Sequence, residues 1–146
     1  MSTHLTAEAR VRVRYAETDK MKVVYHSNFI VWFEIGRVEL LRQIGFRYRD
    51  METEDDCHIA VVDVRCRYKS PAYYDDELII RTSLKHMRGS MMLFHYEVVR
   101  TSDNLLLAEG ETTHIVTDAE MKVRTIPEKY IKVFREAVRA QHVSSH

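Results

Sequence analysis

The sequence is poor in the residues that separate domains. Only two prolines and four glycines occur among 146 residues, and no repeat or low-complexity tract is present. Because linkers are built from Pro, Gly and small polar residues, we expect a single domain over residues 1–146, with its core at about 8–135. A chain of this length can bury a substantial hydrophobic core.

Long apolar runs and net charge are also missing. No run approaches the ~20 apolar residues of a membrane-spanning helix, and residues 1–4 lack the apolar core of a signal peptide. We therefore expect a cytoplasmic protein with no membrane partner. Lys plus Arg and Asp plus Glu both number 22, which argues against a nucleic-acid-binding protein, since such a protein needs clustered excess cation.

Cysteine is almost absent. Cys57 and Cys66 are the two cysteines, and neither lies in a CxxC pair or beside a paired histidine. In a reducing compartment this pattern favours two free thiols over a disulfide.

The first part of the chain contains a strand pattern followed by a helix pattern. Apolar residues alternate with arginine over Val11–Tyr15, which predicts a half-buried strand. From Ser27 to Gln43 the spacing is helical, with Ser27 as N-cap and Gly45 as C-terminal stop. Apolar residues on two sides of this helix indicate that protein surrounds it. They are Phe29, Ile30, Phe33, Leu40, Leu41 and Ile44 on one face, and Val31, Ile35 and Val38 on another.

The second part of the chain has the pattern of antiparallel strands. A charged stretch, 47–56, predicts a loop, and Arg88-Gly89-Ser90 predicts a hairpin turn. Pro127 opens a last helix that runs through Ala140. The strand patterns are Ile59–Tyr68, Glu77–Met87, Met91–Arg100 and Leu105–Thr117. This order predicts an α+β fold in which one helix packs on an antiparallel five-stranded sheet, with a C-terminal helix. The open sheet edges predict at least a homodimer.

The most specific stretch joins the first strand to the helix and reads Tyr15-Ala-Glu-Thr-Asp19-Lys-Met-Lys-Val-Val-Tyr25-His26-Ser27-Asn28-Phe29. It places the Asp19 carboxylate just ahead of a helix N-terminus, where backbone N–H groups favour negative charge. This pairing suits attack on a carbonyl. A lone loop aspartate more often caps a turn, and from the residues alone that role stays open for Asp19.

Several segments together resemble a known family. The first runs from Arg14 to Asp19, continues from Val23 to Phe29, and extends along the helix at Trp32-Phe33-Glu34 and Arg37-Val38-Glu39. Later ones are Tyr68–Ala72, Tyr74–Leu78 and Arg124–Pro127. Over about residues 8–135 the chain is similar to hot-dog-fold thioesterases of the hydroxybenzoyl-CoA thioesterase family, in the branch of bacterial acyl-CoA thioester hydrolases. The resemblance implies a five-stranded sheet wrapped around one long central helix.

The resemblance also implies a reaction. In the family, the aspartate that matches Asp19 is the general base or the nucleophile in the hydrolysis of an acyl-CoA to a free acid and CoA. Backbone N–H groups around Tyr25 and His26 would then polarise the thioester carbonyl. A base activates water, whereas a nucleophile first forms an acyl anhydride, and both stay open. Neither route needs a metal or a cofactor, because CoA is part of the substrate.

The family further implies where CoA binds and how subunits assemble. CoA phosphates are recognised by Lys or Arg at a pocket mouth, and the family meets CoA near the hairpin. This implies Lys85, Arg88 and Ser90 as CoA-binding residues, with Lys69 and Arg65 as second candidates. Homodimers and homotetramers, that is, dimers of dimers, are both expected. An acyl carrier protein stays open as the alternative carrier, and the acyl group itself is undefined.

Alternative chemistries stay open. A hot-dog hydratase or dehydratase relies on a histidine, for which His26 is the nearby candidate, and a non-catalytic acyl-CoA binder would not need Asp19. Glu34 and Glu39 would carry the reaction in a different hot-dog subgroup. Helical glutamates are more often solvated or paired with cations, here Arg37 and Arg42.

The sequence departs from the family at one position in the Asp19 loop. The family commonly has glycine where this chain has Lys22. If that glycine adopts a positive φ, Lys22 is strained there. We therefore expect either a strained Lys22 or a loop of different shape around Asp19.

Overall fold

The computed structural model describes the backbone of residues 5–144 and the side chains of residues 5–141. Its elements, in chain order, are β1 (Leu5–Arg12), α1 (Asn28–Gln43), α2 (Tyr48–Asp55), β2 (His58–Tyr68), β3 (Glu77–Arg88), β4 (Met91–Arg100), β5 (Leu105–Thr117) and α3 (Glu128–Ser144). A short 3-10 turn, Tyr15–Glu17, lies between β1 and α1. Residues 1–4, which lack a signal-peptide core, lie outside the described residues.

The five strands form one antiparallel sheet in the order β1-β3-β4-β5-β2. β1 pairs with β3 from Leu5 opposite Leu84 to Arg12 opposite Glu77. At the other edge, β2 pairs only with β5, and Tyr68 lies opposite Ala108. The α+β fold with an antiparallel five-stranded sheet, predicted from the sequence, is confirmed.

Helix α1 packs closely on β1, β3 and β4. Its inner face buries Trp32 and Phe33 completely. A Cβ at Gly36 would lie 2.2 Å from Thr82 Oγ1, so glycine is what lets α1 approach β3 this closely. The helix ends as predicted, with Gly45 just beyond it at a φ of 90°.

Two local predictions were wrong. The charged stretch predicted as a loop forms α2, which is anchored by the buried Met51 and ends at Asp56 in the left-handed conformation. Its apolar residues are two, Tyr48 and Met51, which is too few for a helical period to be read from the sequence. The first strand begins and ends earlier than predicted, because Tyr15 turns outward at the start of the 3-10 turn.

Other expectations concern the thiols and the membrane. Cys57 and Cys66 are free thiols, as predicted. Burial raises the pKa of both, which keeps them protonated and unreactive at neutral pH. Across residues 5–144 no helix combines the length and the apolar character needed to cross a membrane.

Candidate active site

The segment between β1 and α1 folds back on itself as a short hairpin with Asp19 near its tip. The Asp19 N–H donates to the Val23 carbonyl, and the Tyr25 N–H donates to the Glu17 carbonyl, each over 2.9 Å. A β-bridge between residues 18 and 24 lies between these two bonds. The hairpin therefore holds Asp19 beside the residues that lead into α1.

The Asp19 carboxylate has one bound oxygen and one unused oxygen. Its Oδ1 accepts N–H groups from Met21 (2.8 Å) and Val23 (3.3 Å). This is the turn-capping role that a loop aspartate usually has. Neither the backbone of residues 5–144 nor the side chains of residues 5–141 bond to Oδ2, and the residue is exposed. The carboxylate is thus fixed in place and still has an oxygen available for chemistry.

Lys22 adopts the left-handed conformation, with a φ of 63°. Its N–H donates to the Asp19 carbonyl (3.0 Å), and its carbonyl accepts the Tyr74 N–H (3.1 Å). These two bonds hold a conformation that costs an L-residue about 1–2 kcal/mol. The strain expected where the family has glycine is therefore confirmed.

The start of α1 presents unpaired backbone donors, but not at Tyr25. The Tyr25 N–H already donates to Glu17, so Tyr25 was wrongly predicted as an oxyanion donor. Among residues 5–144 no acceptor is found for the N–H groups of His26 and Ser27, which directly precede the first helical residue, Asn28. Unpaired N–H groups at a helix N-terminus attract negative charge. His26 therefore stays a candidate donor, and Ser27 joins it.

The His26 imidazole is packed between aromatic rings. It stacks on Tyr25 with ring centroids 4.9 Å apart and meets the edge of Tyr68 at 6.0 Å. The Tyr68 hydroxyl donates to the His26 carbonyl (3.0 Å) and so ties the end of β2 to the start of α1. Burial, with a hydrogen bond involving Cys66, raises the pKa of Tyr68 to about 12, so this hydroxyl keeps its proton at neutral pH. The geometry favours packing over base chemistry for the imidazole.

Glu17 is a site residue that the sequence reasoning missed. Its side chain is 5% exposed. Oε2 accepts the indole N–H of Trp32 (3.0 Å), and Oε1 accepts the backbone N–H of Arg14 (2.8 Å). A glutamate and a tryptophan 15 residues apart share no periodicity, so only the folded hairpin reveals that they are partners.

The alternative carboxylates on α1 are placed for other roles. Glu39 accepts two hydrogen bonds from Arg42, over 2.9 Å and 2.5 Å. These bonds lower the pKa of Glu39 to about 2, which makes it a weak base. The predicted pairing of Glu39 with Arg42 is confirmed. Glu34 is exposed to solvent, the other role expected of a helical glutamate, and Arg37 turns inward to two tyrosine hydroxyls instead of pairing with it.

Arg37 begins a buried polar chain behind α1. Its guanidinium donates to Tyr48 (2.9 Å) and Tyr96 (3.2 Å), and the Tyr96 hydroxyl lies 2.6 Å from Thr112 Oγ1. Thr112 in turn lies 2.8 Å from Nε2 of His114. Burial, together with the charge of Arg37, lowers the pKa of His114 to about 3. A neutral histidine enclosed in this way serves the core and not the Asp19 site.

The predicted CoA-binding residues lie at the opposite end of the sheet from Asp19. The Asp19 loop follows the end of β1, which lies beside Glu77 at the start of β3. Lys85, Arg88 and Ser90 lie at the other end of β3, around its hairpin with β4. β3 has 12 residues, which span ~40 Å in an extended strand. Within one protomer the structure does not bring these residues to Asp19.

Comparison with known proteins identifies the family. Residues 13–140 match the thioesterase-like superfamily. The chain belongs to this family. The acyl-CoA thioester hydrolase YbgC of Escherichia coli O6:H1 is 33% identical over 127 residues, which are 86% of this chain and 93% of that protein. The predicted family is confirmed, and with it the enzyme class, a thioester hydrolase.

Solved structures of thioesterases share the fold. The DHNA-CoA thioesterase from Staphylococcus aureus is 26% identical, with a TM-score of 0.84 over 97% of this chain and 95% of that one. The 4-hydroxybenzoyl CoA thioesterase from Pseudomonas sp. strain CBS-3 is 20% identical, with a TM-score of 0.80 over 88% of this chain and 99% of that one. The predicted hot-dog fold is therefore confirmed.

The candidate site of this thioesterase-like protein combines three features at one end of the sheet. They are the exposed residue Asp19 with its unused carboxylate oxygen, two N–H groups at the start of α1 without an acceptor among the described residues, and an aromatic wall that includes Tyr68. A thioester hydrolase needs a group that activates or delivers an oxygen nucleophile and donors that stabilise the oxyanion. Among the described side chains, those of residues 5–141, no three His, Cys, Asp or Glu are arranged to hold a metal ion.

Proposed function

We propose that the protein is an acyl-CoA thioesterase of the cytoplasm that uses Asp19 and the start of α1 to release a free carboxylic acid and CoA. The observation that carries the proposal is the short hairpin. It fixes an Asp19 carboxylate that has one unused oxygen, and it leads directly into the N–H groups of His26 and Ser27, for which the described part of the chain offers no acceptor. Relatives named as acyl-CoA thioester hydrolases support the substrate class.

In the proposed reaction Asp19 acts as a general base. Its carboxylate takes a proton from a water molecule while the water oxygen adds to the thioester carbonyl carbon. The oxyanion that forms is stabilised by the N–H groups of His26 and Ser27. When the C–S bond breaks, the CoA thiolate receives the proton that Asp19 holds. If Asp19 instead attacks the carbonyl directly, an acyl anhydride forms, and hydroxylamine would trap it as a hydroxamate.

We further propose that the protein is a homodimer formed through β2. This strand lies at the sheet edge, and every residue from 61 to 65 is exposed, so both of its faces are uncovered. Val61, Val62 and Val64 are 50%, 57% and 41% exposed. An uncovered apolar edge strand is a template for pairing with another chain, and α1 adds an uncovered apolar stripe of Val31, Ile35 and Val38.

Such a dimer would bring the β3–β4 hairpin of one copy toward the Asp19 site of the other. β2 begins opposite Thr117, at the hairpin end of the sheet, and ends at Tyr68, which contacts His26. Two antiparallel β2 strands run in opposite directions, so the hairpin of the second copy lies toward the Asp19 end of the first. CoA would then span both copies. Light scattering measures the assembly and separates a dimer from a tetramer.

The test of the proposed function is thiol release from a panel of acyl-CoAs with short, long and aromatic acyl groups, and from the same acyl groups on acyl carrier protein. Asp19→Asn keeps an oxygen for the N–H groups of Met21 and Val23 but loses the carboxylate. We expect kcat to fall ~10²–10⁴-fold, the usual worth of a general base, with unchanged melting temperature and assembly. Full turnover by the variant would exclude Asp19 as base or nucleophile.

The predicted binding of CoA by Lys85 and Arg88, at the β3–β4 hairpin, is tested through KM. Replacing Arg88 or Lys85 by alanine should raise KM for acyl-CoA several-fold with little change in kcat, because a phosphate contact binds substrate and transition state equally. A thioester of a short pantetheine thiol, which lacks the nucleotide, should show no difference between wild type and variants. An unchanged KM for acyl-CoA in the double variant would place the CoA phosphates elsewhere.

A further inference from the structure

Glu17 buries a carboxylate between the short hairpin and α1. It is 5% exposed, and among the described side chains, those of residues 5–141, the one cation paired with it is the Arg14 guanidinium. That group lies 3.5 Å from Oε1, and its own side chain is 74% exposed. Burial of a carboxylate costs several kcal/mol unless hydrogen bonds compensate. A residue whose only role was to fill this space would be apolar.

The two carboxylate oxygens connect the hairpin to α1. Oε2 accepts the N–H of Trp32 (3.0 Å), a residue of α1 that is fully buried, and Oε1 accepts the N–H of Arg14 at the start of the hairpin (2.8 Å). One side chain therefore bonds both the rigid helix and the loop. Each of the two carboxylate oxygens accepts one of these bonds, whereas an amide side chain has a single acceptor oxygen.

The backbone of Glu17 fixes the distance that the reaction depends on. Its carbonyl accepts the N–H of Tyr25 (2.9 Å). Asp19 follows Glu17 by two residues, and His26 follows Tyr25 by one. The hydrogen bond between Glu17 and Tyr25 therefore limits how far the Asp19 carboxylate can lie from the His26 N–H.

We propose that Glu17 is a positioning residue for thioester hydrolysis. By bonding Trp32 and the backbone of Arg14 it holds the Asp19 carboxylate at the working distance from the N–H groups at the start of α1. Productive geometry must be kept within about 0.5 Å, and a displacement of about 1 Å can cost ~10²-fold in rate. This inference rests on the proposed role of Asp19.

The test variant is Glu17→Gln, which keeps the size of the side chain but has one acceptor oxygen instead of two. It can satisfy the Trp32 N–H or the Arg14 N–H, but not both. We expect kcat to fall about 10-fold, with KM within about twofold because Glu17 does not touch the substrate. The pH at which kcat declines in acid should not move, since Asp19 remains the base.

Trp32→Phe removes the same hydrogen bond from the other side. Because both variants break one interaction, the double variant should be no slower than the slower single variant. Trp32 is the single tryptophan of the chain, so one indole N–H signal in the NMR spectrum reports the bond directly, without reference to activity. That signal should shift in Glu17→Gln and stay in place in the control Glu128→Gln, an exposed glutamate of α3.

The outcomes separate this inference from the proposed function. The positioning role would be overturned by full kcat in Glu17→Gln with a shifted indole signal, or by kcat losses that add in the double variant. In either case Asp19→Asn would still show its large loss of kcat, and the proposed function would stand. If Glu17→Gln does not fold, Trp32→Phe alone decides through its kcat and KM. Full turnover by Asp19→Asn, or a wild type without thiol release, would overturn the proposed function and this inference together.

Discussion

Two loops of this protein share one hydrogen-bond pattern and differ in their surroundings. In the first, residues 19–23, the Asp19 Oδ1 accepts N–H groups two and four residues ahead, and the Asp19 N–H donates to the carbonyl of residue 23. In the second, residues 118–122, the Asp118 Oδ1 accepts the N–H groups of Glu120 and Lys122, both over 2.9 Å. The Asp118 N–H likewise donates to the Lys122 carbonyl (2.8 Å).

The likeness extends to backbone strain. The fourth residue of each loop is in the left-handed conformation, Lys22 with a φ of 63° and Met121 with a φ of 66°. In each loop the N–H of that residue donates to the carbonyl of the aspartate, over 3.0 Å and 3.1 Å. The turn and its capping aspartate are thus a structural device that the chain uses twice.

The segments that follow the two loops differ. After residue 23 the chain enters α1 through His26 and Ser27, whose N–H groups have no acceptor in the described part of the chain. After residue 122 the chain runs along the sheet, where the N–H groups of Arg124 and Ile126 donate to the carbonyls of Val116 and Gly89. The comparison teaches that an aspartate turn alone makes no active site, and that unpaired donors beside it are what give Asp19 its proposed chemistry.

The largest expected difference between the loops is in turnover. Alanine at position 19 removes the carboxylate next to the α1 donors, and we expect kcat to fall ~10²–10⁴-fold. Asp118→Ala breaks an equivalent turn away from those donors and should leave kcat of the folded enzyme within about twofold. Thiol release measured at saturating acyl-CoA decides between them. Equal losses of kcat would mean that the turn, and not its neighbourhood, carries the activity.

The two alanine variants should lose similar stability. Each replacement leaves two backbone N–H groups without their acceptor, at a cost of about 1–2 kcal/mol in the free energy of unfolding. Urea denaturation at one protein concentration measures this loss, because dimer stability depends on concentration. A much smaller loss at position 19 would indicate that its turn is held mainly by Glu17 and the bridge to Val24.

These loops also show which features of the candidate site could be predicted from the sequence. The family motif identified Asp19, the helix that follows it and the strain at Lys22, because each depends on residues close together in the chain. Asp118 carries no motif, and its turn is visible only in the folded chain. The same limit applies to Glu17, whose partner Trp32 lies in another element.

Two errors have the same physical origin. The N–H of Tyr25 was expected to face a substrate, but it donates to the Glu17 carbonyl in the folded hairpin. That bond depends on the shape of the turn between the two residues, which could not be read from the sequence. The charged stretch that becomes α2 has one buried residue, Met51, and its helix depends on packing that periodicity does not reveal. The spacing of residues predicted helices and strands well where many apolar residues repeat. It predicted poorly where a single contact in the folded chain determines the structure, as Met51 does for α2.

The smallest expected effect concerns strain in the two loops. Glycine at position 22 or 121 relieves a left-handed conformation that costs about 1–2 kcal/mol, and gives back about 0.5–1 kcal/mol in the entropy of the unfolded chain. Each variant should therefore gain up to about 1 kcal/mol, or roughly 2–4 °C in melting temperature. Lys22→Gly and Met121→Gly should also keep wild-type kcat. A loss of kcat confined to Lys22→Gly would show that strain, or the Lys22 ammonium, contributes to the Asp19 site, and would make strain a second difference between the loops.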